Sequence, residues 1–516
     1  MTERTSHTAP ALSGALAGGL AATAGILAGG GVAAALDGVT GPVLAVGNRA
    51  VDWAPRPVKE WAIQAFGTAD KPVLIGGVVA TVGLVALFLG ALGTRRPRWA
   101  LTGFTVLVAV AVVAILTDRA ATAAGPVRLL PVLAILLVGL GGLAWMLTTL
   151  RRPASPGATA PSGFDRRAFL AAAGAVAATG AAGGAVVGAF GGAAAATSRR
   201  TLTLPEPVSP APAVPSQVTF DVPGLTSYLT PNDDFYRVDT ALQVPDVPLE
   251  GYRLRIHGLV HTPLDLSFED LLARPLVERR ITLTCVSNPV GGDYVGNATW
   301  LGVPMRDLLT EAGVLPGADA VRSTSADDFT AGTPLSALTD DRGALLAIGM
   351  NGEPLPLEHG FPVRMVTPGL YGYVSATKWL VDLEVTRFAD FSAYWTDRGY
   401  AEQAPIKSSS RIDVPRSFAT LEPGPTTVAG VAWAQDRGIE QVEVRVDGED
   451  WQQADLGVED NENTWRPWRW TWPAEQGLHR IEVRATDRSG TTQTSQREPI
   501  APDGSTGWHS VTVTVR

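Results

Sequence analysis

The sequence predicts a three-part protein: an all-α transmembrane bundle of five spans, an α+β domain, and a C-terminal all-β sandwich. Three observations predict it. Four uncharged stretches of membrane-crossing length occur before residue 151, a fifth apolar run follows residue 167, and the remainder mixes short strands with turns. Charge divides the chain in the same place. Residues 1–200 hold 16 Lys and Arg against 7 Asp and Glu, whereas residues 201–516 hold 25 against 43. The whole 516-residue chain carries a net charge of −9 and is 46% hydrophobic, which excludes a disordered chain and argues against a nucleic-acid binder.

The four stretches are 11–36, 72–94, 99–117 and 129–150, which make 1–150 a four-span membrane region. Arg95, Arg96 and Arg98 follow the second, and Arg151, Arg152, Arg166 and Arg167 follow the fourth. By the positive-inside rule these loops are cytoplasmic, and so is the N-terminus. The loop 37–71 then lies outside, and within it Val51–Phe66 reads as a short interfacial helix with Trp53 and Trp61 at the boundary. Residues 151–198 combine a cytoplasmic loop with FDRRAFLAAAG, whose Arg166-Arg167 pair before a weakly apolar Ala/Gly run resembles a twin-arginine export signal. A plain fifth span is the alternative. Both place the chain after about residue 195 outside the cytoplasm, a multi-pass protein of the cell membrane with its C-terminal half extracytoplasmic. Gly184 and Gly188 form a small-xxx-small pair that reads either as helix packing or as composition alone.

Residues 199–217 are Pro-rich and read as a tether. Residues 218–400 mix β runs (Tyr252–Ile256, Ile281–Val286, Trp379–Val385) with a helical period at Met305–Ala312, an α+β order. Residues 405–516 show period-2 alternation in three runs, GIEQVEVRVDG, HRIEVRATDRSG and WHSVTVTVR, which suggests a sandwich. Trp468, Trp470 and Trp472 share one face of a strand there, and sandwich core or a subunit interface is the plain reading.

The chain has one cysteine, Cys285, so no disulfide within it can form. It closes a β run and opens a Gly/Asn/Pro-rich loop. A buried small hydrophobe is the ordinary reading of a lone Cys. The alternative is a thiolate ligand to a soft transition metal, and no other Cys or zinc-spaced His cluster completes a protein-only site, so a cofactor would supply the other ligands. Among six histidines only His7 lies in the first 200 residues, so no bis-His haem is expected in the spans. The spans also lack the buried acids of an ion pathway.

The stretch around Cys285, with Asn288, Gly296, Asn297 and Trp300, resembles the molybdenum-binding segment of the sulfite oxidase family. MNGEPLPLEHGFPVRMVTPGLYGYVSATKWLVDLEV, residues 350–385, is similar to that family's most characteristic motif, and TPNDDFYRVDT, residues 230–240, to its opening motif. The likeness covers 218–400, and the all-β tail resembles the family's Ig-like dimerisation domain. It implies a sulfite-oxidase-type molybdopterin domain with molybdenum–molybdopterin as cofactor and Cys285 as the metal's sole protein ligand. It further implies that Tyr236, Arg237, Ser325, His359, Arg364, Thr377 and Lys378 contact the cofactor, and that Asn288, Tyr371 and Tyr373 line the pocket. A homodimer is compatible with the resemblance.

The departures carry information too. Sulfite oxidases have an Arg shortly after the ligand Cys, where this chain has Val286-Ser287-Asn288-Pro289-Val290, and an Arg-Asn-His where it has Arg237-Val238-Asp239. An anion without cations is costly to bind, so Asp239 and the missing arginines point to reduction of a neutral S-oxide or N-oxide, with sulfite oxidation as the alternative. The opening motif looks more like that of the periplasmic methionine-sulfoxide reductase catalytic subunit. The expected enzyme is a membrane-anchored oxidoreductase transferring an oxygen atom to or from a small-molecule substrate. Its redox partner would be a haem protein or quinone-linked. The non-enzyme alternative is an exported binding module with a degenerate cofactor fold.

Overall fold

The computed structural model describes residues 11–36, 39–55, 58, 61–62, 65–66, 70–118, 125–151, 165–190 and 193–516. The chain divides into two compact units: residues 1–194 with 240–246, and residues 195–239 with 247–516.

Among the described residues, five helical stretches are long and apolar enough to cross a membrane: Ala11–Ala34, Lys71–Gly93, Pro97–Thr117, Gly125–Thr149 and Arg166–Phe190. The fourth is irregular. A 3₁₀ turn at Gly125–Leu129 leads into Leu130–Ala134, then a π segment at Ile135–Leu140, then Gly141–Thr149. Helix Ala11–Ala34 packs through glycine. A Cβ on Gly18 would stand 2.0 Å from the Ala86 carbonyl oxygen, and one on Gly31 would stand 2.6 Å from that of Gly183. Small residues let backbones meet where lipid gives no hydrophobic drive between helices. On Arg166–Phe190 the packing residues are Gly180 and Gly183, not the pair Gly184 and Gly188. Gly184 reaches only ordinary contact with Leu27, and Gly188 has nothing within 4 Å. Near the expected interfacial helix, the described residues form a helix at Pro42–Trp53, and part of 51–66 lies outside the described residues. His7 also lies outside them.

The second unit holds four sheets. One orders its strands Leu264–Ser267, Arg253–Gly258, Leu380–Thr386, Ala320–Ser325, Thr330–Pro334, with the second and third parallel. Another runs Val277–Thr284, Val295–Pro304, Leu345–Met350, Glu353–Pro354, and Arg364–Val366 also pairs with Leu345–Met350. Helix Met305–Ala312 forms where the period places Met305, Leu308, Leu309 and Ala312 on one buried face, and it stops at Gly313, whose φ is +67°.

The last two sheets share one core. Val428 and Trp468 from one and Val444, Ile481, Val483 and Val513 from the other meet in a single cluster. Strand Ile439–Val446 buries every second or third residue, as a half-covered strand must. Trp468 and Trp472 are buried in this core and Trp470 packs against it, which matches the plain reading of the tryptophan stripe.

The α+β part and the β part meet at a buried ion pair. Arg280, on strand Val277–Thr284, donates to both oxygens of Asp460 and to Pro212 O, and the Tyr228 hydroxyl donates to Asp460 at 2.8 Å. The two charged side chains are 5% and 4% exposed. Removing one partner of such a pair strands the other charge, at a cost of about 3–5 kcal/mol. Asp460→Leu should therefore lower the melting temperature of the unit sharply. The matching exchange at Asp341, which is fully exposed beside Arg306, should leave it within error; thermal melts of both variants check the contrast.

Candidate active site

Cys285 is the first residue beyond strand Val277–Thr284, whose partner strand begins at Val295, so residues 285–294 form the connecting loop. The loop is folded on itself. Cys285 N donates to Tyr294 O at 2.9 Å, Asn288 N to Cys285 O at 3.1 Å, and Tyr294 N to Asn288 Oδ1 at 2.9 Å. Ser287 N–H points at Sγ, 3.4 Å away. The thiol is buried, and burial pushes its pKa up while the Ser287 hydrogen bonds and the Lys378 charge act the other way.

The β part braces this loop from outside. Ser505 Oγ donates to Asn288 O at 2.7 Å and Arg411 to Gly292 O at 2.9 Å. Gly291, at φ +80°, lies so close to His509 that a Cβ would meet its ring at 2.1 Å. His509 Nδ1 accepts from Ile412 N at 2.9 Å, so its proton belongs on Nε2. A small pocket opens beside this loop, lined by Thr284, Asn288, Val290, Tyr371, Ser410 and Ser505 among others, and no Lys, Arg, Asp or Glu lines it.

A second group of side chains gathers from two distant segments. Phe235 stacks on Tyr236 at 5.2 Å and meets His359 edge-on at 5.6 Å. His359 Nε2 lies 3.0 Å from Asn232 O, so that nitrogen donates and Nδ1 is left as an acceptor. Burial, helped by Arg364 and Lys378, pushes the His359 pKa down to about 3, so the ring is neutral. Arg364 is 5% exposed and donates to His359 O, Ala376 O and Met365 O, with its guanidinium 5.0 Å from the Trp300 ring centroid. Among the described residues it makes no ion pair, and burial lowers its pKa to about 10. Lys378 Nζ donates to Glu358 O at 3.0 Å and to Asp239 at 2.7 Å, and Arg237 reaches the same carboxylate at 2.9 Å. Gly360 links these groups. At φ +111° any side chain would be strained, and its Cβ would crowd Lys378 Cβ at 3.0 Å and Arg364 Cβ at 3.1 Å.

The structure thus brings Tyr236, Arg237, His359, Arg364 and Lys378 to one place. The Tyr236 hydroxyl feels the charges of both Cys285 and Arg364, which ties the cluster to the thiol. Thr377 is adjacent, but its hydroxyl pairs with Ser323 Oγ at 2.7 Å inside the sheet. Ser325 approaches through Asp327, whose N–H lies 3.4 Å from Ser325 Oγ and whose carboxyl feels Lys378 and Asp239. Asn288 and Tyr371 line the small pocket, whereas the Tyr373 hydroxyl is turned to Ala401 O at 2.6 Å. One expectation is corrected. Asp239 does not place a bare negative charge where substrate would sit, because Arg237 and Lys378 both neutralise it.

A buried guanidinium with three carbonyl partners, a neutral imidazole and a lone thiol suit an anionic, sulfur-donating cofactor that brings its own charge. The donor set therefore fits molybdopterin. Sequence reasoning missed the braces Arg411, His509, Ser505 and Gln435. They lie over a hundred residues from Cys285 along the chain, and nothing in their local sequence signals that they reach it.

Comparison with known proteins bears on this arrangement. The family model described as "Oxidoreductase molybdopterin binding domain" matches residues 241–395. The mitochondrial sulfite oxidase of Macaca fascicularis is 31% identical over 343 residues, 56% of this chain and 62% of that protein. The sulfite oxidase of Gallus gallus is 32% identical over 336 residues, 55% of this chain and 72% of that protein. An uncharacterized oxidoreductase of Bacillus subtilis is 36% identical over 174 residues, 33% of this chain and 84% of that protein. This chain therefore spans 52–62% of the length of the mitochondrial relatives it matches. Among solved structures, the sulfane dehydrogenase SoxCD of Paracoccus pantotrophus aligns with a TM-score of 0.47 at 25% identity, covering 52% of this chain and 75% of that one.

The buried imidazoles set an acid response. His359 and His509 have pKa values pushed down to about 3 and about 4, against 6.5 when free. Below pH 6.5 the unfolded chain therefore takes up protons that the folded chain refuses, and stability falls as pH drops toward 4. Urea melts between pH 7 and 4.5 should show this decline, and His509→Gln should make it shallower.

Proposed function

Because the chain belongs to the sulfite oxidase family of molybdopterin oxidoreductases, we propose that it is a membrane-anchored enzyme that oxidises sulfite or a closely similar sulfur oxyanion. The carrying observation is the single buried thiol of Cys285 at a strand end, within reach of the Lys378 charge and in one unit with the buried guanidinium of Arg364. The relatives' names support sulfite oxidation ahead of the S-oxide or N-oxide reduction suggested by the missing arginines. When bound, the molybdenum centre supplies two-electron oxygen-atom transfer. For sulfite, water provides the oxygen, sulfate leaves with it, and two protons and two electrons are released.

This chain's residues bind, orient and shield. Cys285 would give its thiolate to the metal, and since burial disfavours the free anion, ligation must release a proton. Arg364, Arg237 and Lys378 would hold the pterin and its phosphate, with the guanidinium fork of Arg364 already oriented by three carbonyls. His359, neutral and fixed through Nε2, would offer Nδ1 as an acceptor. Ser325 and Thr377 would line the edge of the same cradle. Asn288 holds the loop closed, and Tyr371, whose hydroxyl burial pushes up to about 12, stays protonated as a donor beside the pocket.

Five membrane spans would tether the active domain, extracytoplasmic and exported with help from Arg166 and Arg167, while electrons pass to a haem or quinone-linked partner. The all-β tail would be Ig-like and a surface for a homodimer. A second reading keeps one observation in its favour. The pocket lining is uncharged, which suits a neutral S-oxide or N-oxide.

Protein purified with its membrane segment should carry close to one molybdenum per chain. Cys285→Ser should keep the fold and lose turnover by several orders of magnitude. The parent should oxidise sulfite with an artificial acceptor faster than it reduces methionine sulfoxide or trimethylamine N-oxide with a reduced dye. The reverse ranking establishes the second reading, and a folded parent without molybdenum overturns both.

A further inference from the structure

Strand Val277–Thr284 delivers Cys285, and the β part grips the last residues of that strand. Thr282 N donates to Asn463 O at 2.9 Å, and Trp465 N donates to Thr282 Oγ1 at 2.8 Å. Both bonds come from main-chain atoms of the β part. The third grip is a side chain. Gln435, fully buried just after strand Gly424–Trp433, donates its amide to Thr282 O at 2.9 Å and to Thr284 Oγ1 at 3.1 Å. Thr284 directly precedes Cys285 and lines the small pocket.

Two features set Gln435 apart from a general interface contact. Its Oε1 is buried without a hydrogen-bond partner, so the fold tolerates an unpaired acceptor in order to keep the donor in place. Its donor also fixes the lone-pair side of the Thr284 hydroxyl. A hydroxyl that accepts from one side has its proton left to give elsewhere, and Thr284 is among the residues that line the pocket beside the loop.

We infer that Gln435 is a positioning residue: across the junction with the β part it fixes the strand end that presents Cys285 and turns the Thr284 hydroxyl into a donor toward the pocket. This rests on the reading of Cys285 as metal ligand, and the test keeps the two apart. Cys285 is the only cysteine, so alkylation by iodoacetamide reports on it alone, in cofactor-free protein and without reference to molybdenum. Gln435→Leu keeps the side-chain bulk and removes the amide, leaving two buried acceptors bare. Labelling of Cys285 in full-length cofactor-free Gln435→Leu should be about tenfold faster than in the parent. In loaded protein with parental molybdenum content, the Mo(V) electron paramagnetic resonance signal should move, and KM should rise more than kcat falls. Thr284→Val removes one of the two acceptors and should move labelling and signal in the same direction by less, which keeps the test open should Gln435→Leu fail to fold. An unchanged labelling rate overturns the inference. So does faster labelling with an unmoved Mo(V) signal, which would mark Gln435 as a fold contact only. A parent without molybdenum removes the ligand reading, and the clamp then stands or falls on labelling.

Discussion

Arg364 is a full positive charge held 5% exposed, surrounded by three main-chain carbonyls and the face of Trp300. A guanidinium buried without a carboxylate is costly. The same unit shows how this chain treats a buried arginine when stability is the purpose: Arg280 is matched by Asp460 with bonds to both carboxylate oxygens. Arg364 has no such match. The segment around it is shaped to hold that charge open: Gly360 takes a left-handed turn that would strain any side chain, and His359 turns its carbonyl to the guanidinium while its ring stays neutral. An anion such as the phosphate of the proposed pterin cofactor would supply the charge that the described residues do not.

The second constraint is covalent. Cys285 sits where a strand stops, and a strand end is fixed only as well as the groups that hold it. The α+β part supplies one side through the pairing of Thr284 with Val295 and the folded loop. The β part supplies the other through Gln435, Asn463, Trp465, Ser505 and Arg411. The all-β tail is therefore a wall of the site as well as a neighbour.

What could be read from the residues follows from how local the cause was. Helix Met305–Ala312 was legible because its apolar residues recur at helical spacing, and strand Ile439–Val446 because its own alternation buries one face. Cys285 at a strand end was legible for the same reason: a β run ends and turn residues begin. The cation cluster was legible through the long motif at 350–385. Two things were not. The pairing of Asp239 depends on Lys378, 139 residues away in the sequence, which only the fold brings to 2.7 Å from its carboxylate. The choice of Gly180 and Gly183 as packing residues depends on the rotation of one helix against another, and composition alone made Gly184 and Gly188 equally good.

The loop beside the pocket is held by a cation that the pocket itself lacks. The nearest strong cation to the loop after Cys285 is Arg411, and its charge is already engaged by Asp413 at 2.6 Å and Asp293 at 3.3 Å. Asp413 is 7% exposed and fixed, whereas Asp293 is 96% exposed and holds one bond at long range. The buried partner fixes the guanidinium, and the exposed one adds little because water already satisfies it. Arg411 therefore serves the loop as a brace through Gly292 O and lies outside the lining of the pocket.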